Sequence, residues 1–188
     1  MSRKALLIVD MSYDFVADDG GLTVGTPAQT IVPDIVRTAD LFLEKGDVVV
    51  VCMDAHIEDD PHFELWPKHN VIGTKGQELY GELGTWYDKN KENKSVLYIP
   101  KPEYDAFFNT NLEEELLEAD VGEVYVVGVC TDICNFLTVY GAYARGFKTV
   151  AIYDQMATFT QNQDVFIQQM ESIFKTKIVY TSDLEKLE

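Results

Sequence analysis

The sequence predicts a three-layer αβα fold of the α/β class, built on a mostly parallel sheet of six strands. Short apolar runs alternate with segments of helical spacing along the chain. Several runs are apolar throughout rather than at every second residue, the pattern of strands covered by helices on both faces. Chemistry-bearing residues recur at or just after the ends of these runs. In open parallel sheets that rim is where ligands bind.

The elements follow in order. Ala5 to Asp10 is an apolar run closed by an acid, and the 28–45 segment shows helical spacing through Ile31, Ile35, Val36, Leu41 and Phe42, with Gly46 after its end. Val48 to Met53 is a second strand that runs into Asp54. A stretch rich in Gly, Pro and charge, 55–93, then interrupts the rhythm. It is too long for an ordinary connection and is expected to carry function. Ser95 to Ile99 is a third strand, 112–119 a helix, Val124 to Val127 a fourth strand, and 132–145 a helix closed by Gly146. Strand 149–153, helix 164–174 and strand 177–180 complete the series.

Composition narrows the function classes. With 188 residues, 46% of them hydrophobic, the chain suits one domain over 1–188 with a sizeable core. No apolar run approaches the roughly 20 residues that span a bilayer. The N-terminus enters a strand directly, without a signal peptide's cleavage region, so a cytoplasmic protein is expected. Three cysteines, Cys52, Cys130 and Cys134, make no disulfide framework, and the last two lack CxxC spacing. A formal charge of −17 argues against nucleic acid or an anionic membrane as a partner.

Three residues at strand ends carry candidate chemistry. Cys134 falls in the first turn of a helix, after the Gly128 turn. Free N–H groups and a partial positive charge there favour a thiolate. Asp10, at the edge of a core, is expected to have a raised pKa suited to general acid–base work. Lys101 follows Ile99-Pro100. By itself it reads as a solvated loop residue; beside a carboxylate and a thiol it would fix their charges. A second constellation lies in the long insert. All three histidines, His56, His62 and His69, fall in one fourteen-residue window that also holds Glu64 and begins two residues after Asp54. Imidazole and carboxylate together suit Zn²⁺, Mn²⁺ or Fe²⁺.

The chain resembles the isochorismatase-like cysteine hydrolases, and most closely the nicotinamidases (pyrazinamidases). The resemblance runs over nearly the whole length. It is carried by Ile8-Val-Asp10 with Asp14-Phe15, Ala17-Asp18-Asp19-Gly20 with Leu22-Thr23, Asp54-Ala-His56, His69-Asn-Val-Ile-Gly-Thr74, Leu79-Tyr-Gly81, Lys101-Pro-Glu-Tyr104 and Gly128-Val-Cys-Thr-Asp-Ile-Cys134. It implies the isochorismatase-like form of the Rossmann-like fold. It also implies a catalytic triad of Asp10, Lys101 and Cys134, in which Asp10 deprotonates Cys134 and the thiolate attacks a small amide to form a thioester. The backbone N–H groups of Cys130 and Cys134 would form an oxyanion hole, each donor worth about 3–4 kcal/mol in the transition state, after a cis Val129–Cys130 bond.

The resemblance further implies one divalent ion, Zn²⁺ ahead of Mn²⁺ or Fe²⁺, on Asp54, His56 and His69. The fourth ligand is expected to be Glu64, with His62 as the alternative. Phe15 and Trp66 match substrate contacts, relatives are often homo-oligomers, and the implied reaction is nicotinamide hydrolysis in NAD salvage. A related amidase on another small amide or carbamoyl substrate, or a non-catalytic binding protein on the same fold, would account for fewer of the motifs. Two departures bear on the metal shell and the substrate. Lys68 stands where relatives have a second proline, and no histidine follows Cys134 closely.

Overall fold

The computed structural model describes residues 2–186; residues 1, 187 and 188 of the expected 1–188 unit lie outside them. Among the described residues six strands form one sheet: β1 (Arg3–Val9), β2 (Val48–Asp54), β3 (Val96–Lys101), β4 (Val121–Val129), β5 (Lys148–Ala157) and β6 (Lys177–Val179). Their order is β3-β2-β1-β4-β5-β6, and every pairing is parallel. The sheet is therefore parallel throughout, not only mostly so.

Side-chain alternation divides the core in two. Leu6 and Ile8 of β1 join the cluster on one face, while Ala5, Leu7 and Val9 join the other. Both sets are fully buried, which is why β1 reads as unbroken apolar sequence. Helices α1 (Tyr13–Val16), α2 (Thr26–Glu44) and α3 (Gly81–Asn90) cover the first face. Helices α4 (Leu112–Glu118), α5 (Phe136–Ala144) and α6 (Gln163–Phe174) cover the second. Helix α2 shows how local sequence sets this up. A proline stands in its first turn, where no N–H is needed, and Ala28, Ile31, Val32, Ile35, Ala39 and Phe42 bury one stripe against the sheet.

Two elements differ from expectation. Helix α3 lies inside the 55–93 stretch; its only buried side chains, Leu83 and Trp86, leave a faint periodic signal. The expected 132–145 helix is divided: residues Thr131–Asn135 form a wider π-type turn, and regular α5 begins only at Phe136. No helix among the described residues is long and apolar enough to cross a membrane.

The strand order reverses direction beside β1, whose neighbours are β2 and β4. The crevice beyond the C-terminal ends at such a switch point is where open α/β sheets bind ligands. Gly128, paired with Val9 near those ends, has φ +106°, and a Cβ there would run into the Val9 carbonyl. Only glycine lets β4 approach β1 at this point.

Candidate active site

Four strand ends meet in the crevice. Asp10 follows β1 with a left-handed backbone, φ +54°. Asp54 ends β2 and Lys101 ends β3, and the two are aligned in the parallel register. Cys130 follows β4, and Cys134 lies in the π turn just beyond. Asp10, Asp54, Lys101 and Cys134 are all buried. The peptide bond between Val129 and Cys130 is cis.

Lys101 is 0% exposed, not the solvated residue that its place after Ile99-Pro100 suggests. Its ammonium lies 2.8 Å from Asp10 Oδ2, contacts Asp54 Oδ1 closely, and donates to the Glu103 carbonyl at 3.1 Å. Burial alone would lower its pKa, but the facing Asp10, Asp54 and Cys134 reverse this and hold it well above the usual lysine range. It is a permanent cation between two buried carboxylates.

Those carboxylates differ in kind. Burial and the neighbouring Asp54 charge raise Asp10 to about 6, against the pull of Lys101. Burial also acts to raise Asp54, but the Lys101 ammonium and the facing imidazoles of His56 and His69 outweigh it and hold the carboxyl well below its ordinary value. Asp10 is thus poised to exchange a proton near neutral pH, and Asp54 stays ionised. Asp10 Oδ1 accepts the Asp54 backbone N–H at 2.8 Å, which orients the carboxylate beside the Cys134 thiol. Acceptor and donor atoms of Asp10, Asp54 and Cys134 lie within 4.8 Å of one another.

Cys134 does not rest as the thiolate expected at a helix start. It sits inside a π turn and is 5% exposed; burial, with Asp10 and Asp54 nearby, pushes its thiol well above the usual cysteine range despite Lys101. Its activation would require a base nearby, and the Asp10 carboxylate lies beside it.

The second cluster adjoins the first through Asp54. While Asp54 Oδ1 meets Lys101, its Oδ2 lies 3.8 Å from both His56 Nε2 and His69 Nε2. His56 Nδ1 is 3.0 Å from Asp60 Oδ2, and His69 Nδ1 is 2.6 Å from the Pro67 carbonyl. These outer contacts fix both rings with Nε2 turned inward. His62 stacks on His56 with ring centroids 4.6 Å apart, and one nitrogen from each of the three histidines falls within 4.8 Å of the others. His56 Nε2 is buried and has no hydrogen-bond partner. An orphaned imidazole nitrogen facing a carboxylate and two further imidazoles fits a divalent cation with N/O ligands.

The two candidates for a fourth ligand are placed differently. Glu64 is exposed and lies outside this group; His62, the alternative, is in it. Both stand on one short 3₁₀ turn, Pro61–Glu64, capped by the Asp60 carboxylate, so they leave the turn in different directions. Lys68 is exposed and paired with Glu58, so its charge is not directed at the cluster.

A narrow cavity joins the two clusters. Phe15 is buried in its wall, its ring 5.1 Å from His69. Trp66 lines it too, and its indole N–H donates to the Tyr104 hydroxyl at 2.9 Å. Tyr104, Ile133 and Phe159 also face it and were not expected from sequence. Tyr104 lies within the Lys101-Pro-Glu-Tyr104 segment. Phe159 follows the end of β5, so the strand-end rule that singles out Asp10 and Lys101 points to it as well.

Comparison with known proteins agrees with this geometry. The isochorismatase domain model matches residues 4–182. A Bacillus subtilis relative, named an uncharacterized isochorismatase family protein PncA, is 43% identical over 162 residues, covering 85% of this chain and 88% of its own length. The pyrazinamidase/nicotinamidase structure from Streptococcus mutans superposes with a TM-score of 0.91 at 37% identity, covering 94% of this chain and 99% of its own. The Pyrococcus horikoshii pyrazinamidase in complex with zinc superposes with a TM-score of 0.83 at 28% identity, covering 95% and 99%. With the parallel αβα sheet and the buried Asp–Lys–Cys cluster at its switch point, these matches show that the chain is an amidohydrolase belonging to the isochorismatase family.

Proposed function

We propose that the chain is a metal-dependent nicotinamidase, a single 1–188 domain that hydrolyses nicotinamide to nicotinate and ammonia in cytoplasmic NAD salvage. One observation carries this reading. Asp54 belongs to both clusters, one oxygen on Lys101 and the other facing His56 and His69, so a thiol hydrolase centre and a cation site share one cavity. The 55–93 insert supplies the histidines and Trp66, which accounts for its length. The Pyrococcus neighbour's zinc complex supports the same reading.

Asp54, His56, His62 and His69 would hold the ion, with Zn²⁺ ahead of Mn²⁺ or Fe²⁺. When bound, it would supply a Lewis-acid contact for a pyridine nitrogen. The chain's own residues do the rest. Asp10 takes the Cys134 proton as Sγ attacks the amide carbon. The oxyanion that forms is met by the backbone N–H groups of Cys130 and Cys134. Asp10 returns the proton to the amine, ammonia leaves, and a thioester remains on Cys134. A water molecule, deprotonated by Asp10, then releases the carboxylate. Lys101 keeps Asp10 oriented and offsets the negative charge that passes between carboxylate and sulfur. Phe15 and Trp66 flank the cavity, and ring contacts of this type are each worth about 1 kcal/mol.

The reading is tested by ammonia release from nicotinamide, pyrazinamide and aliphatic or carbamoyl amides, with metal analysis of the same sample. Turnover confined to the aliphatic or carbamoyl compounds would replace it with the related-amidase reading. Chelation should remove activity, and Zn²⁺, Mn²⁺ or Fe²⁺ should restore it. Full activity in metal-free protein would remove the ion from the account. His62→Ala should weaken metal affinity about 10-fold or more, as loss of a ligand or its outer partner does, while Glu64→Ala should leave the measured Kd unchanged. The opposite ranking would return the fourth position to Glu64.

A further inference from the structure

The cavity beside Cys134 is narrow. Its free volume is ≈ 20 Å³, close to the allowance for a single water molecule. Phe15, Cys130 and His69 are packed into the core, and Trp66 is tied through its indole N–H to Tyr104. Phe159 differs from these. It is 41% exposed and touches Trp66 edge-on, with ring centroids 6.1 Å apart at 61°.

The backbone on either side of Phe159 is pinned. Thr158 Oγ1 donates to Asp132 Oδ1 at 2.6 Å, and Thr160 Oγ1 donates to Asp132 Oδ2 at 2.5 Å. Asp132 lies in the π turn that carries Cys134. Both threonines are therefore clasped by one carboxylate, on the turn that holds the nucleophile. Rotation of the Phe159 side chain breaks no hydrogen bond and would widen the cavity.

We propose that Phe159 is the movable wall of the acyl site and sets the largest acyl group that reaches Cys134. This deepens the amide-hydrolase reading of the cavity and rests on it. The residue acts on size and access, so its removal should enlarge the range of groups admitted while the Asp10–Lys101–Cys134 chemistry stays in place.

The test compares alkylation of Cys134 by iodoacetamide and by its bulkier N-naphthyl analogue, followed by tandem mass spectrometry in wild type, Phe159→Ala and Phe159→Leu. The naphthyl-to-plain rate ratio should rise at least about 10-fold in Phe159→Ala, the scale on which apolar pockets discriminate size, and by less in Phe159→Leu. In parallel, the kcat/KM ratio of quinoline-3-carboxamide to nicotinamide should rise in the same order. An alkylation ratio unchanged in both variants, with circular dichroism showing native folds, overturns the proposal. So does a Cys134 that remains inert to the naphthyl reagent throughout. A raised alkylation ratio in a protein that does not hydrolyse nicotinamide would instead retain the gate and reject the substrate.

Discussion

Cys134→Ala is expected to lower amide hydrolysis by about four to six orders of magnitude, as removal of a covalent nucleophile does, while leaving the fold intact. The side chain is buried in the π turn, but what the substitution removes is a sulfur atom, not a long apolar chain. Stability should therefore fall only modestly. The substituted protein should still bind the metal, because His56, His62 and His69 hold their own outer contacts and do not depend on the thiol. Ammonia release from nicotinamide, measured beside metal content and a thermal melt, separates these effects. Substantial turnover by the variant would remove Cys134 as nucleophile.

Lys101→Met is expected to damage both the fold and the reaction. The ammonium lies between two buried carboxylates, Asp10 and Asp54. Removing one partner of a buried ion pair leaves uncompensated charge and typically costs about 3–5 kcal/mol. The sign of the pH effect follows from Asp10, whose carboxyl already titrates at about 6 with the ammonium in place, because of burial and Asp54. Without the ammonium it rises further. A carboxyl whose folded pKa is raised contributes stability at pH below its unfolded value of about 3.8 and loses that contribution as pH rises through the folded value. The deficit of Lys101→Met relative to wild type, measured by urea unfolding of the metal-free proteins, should therefore be largest at neutral pH and shrink as pH falls. A deficit that does not change with pH would mean that Lys101 acts through packing alone.

Much of this site was legible in the residues. Asp10 and Asp54 stand where apolar runs end, so the strand-end rule places them at the crevice before any coordinates are known. The histidines are legible because all of them fall in one insert. Lys101 was harder to weigh. After Ile99-Pro100 a lysine looks solvated, and only the parallel register that sets it opposite Asp54 shows that it must be buried and paired.

The remaining differences have local physical causes. A helix-start rule gives Cys134 a lowered pKa, but the turn is π-type and closed over by the core, so desolvation dominates and the thiol is the resting form. The choice between Glu64 and His62 depends on how a 3₁₀ turn directs side chains two positions apart, which spacing alone does not reveal. Phe159 lies in a loop without periodicity, and its role depends on the Asp132 clasp that holds Thr158 and Thr160. Helix α3 is mostly polar, so its two buried side chains were lost in the composition of the insert.

On the proposed mechanism, Cys134 forms a covalent acyl intermediate with nicotinamide beside a metal-anchoring histidine cluster. Rapid acid quench of the metal-loaded enzyme during nicotinamide turnover, followed by peptide mass spectrometry, tests it most directly. Ammonia release should be accompanied by one nicotinoyl group on Cys134 in the early time points. Ammonia released at full rate with Cys134 never acylated, or no ammonia from nicotinamide at all, would contradict it.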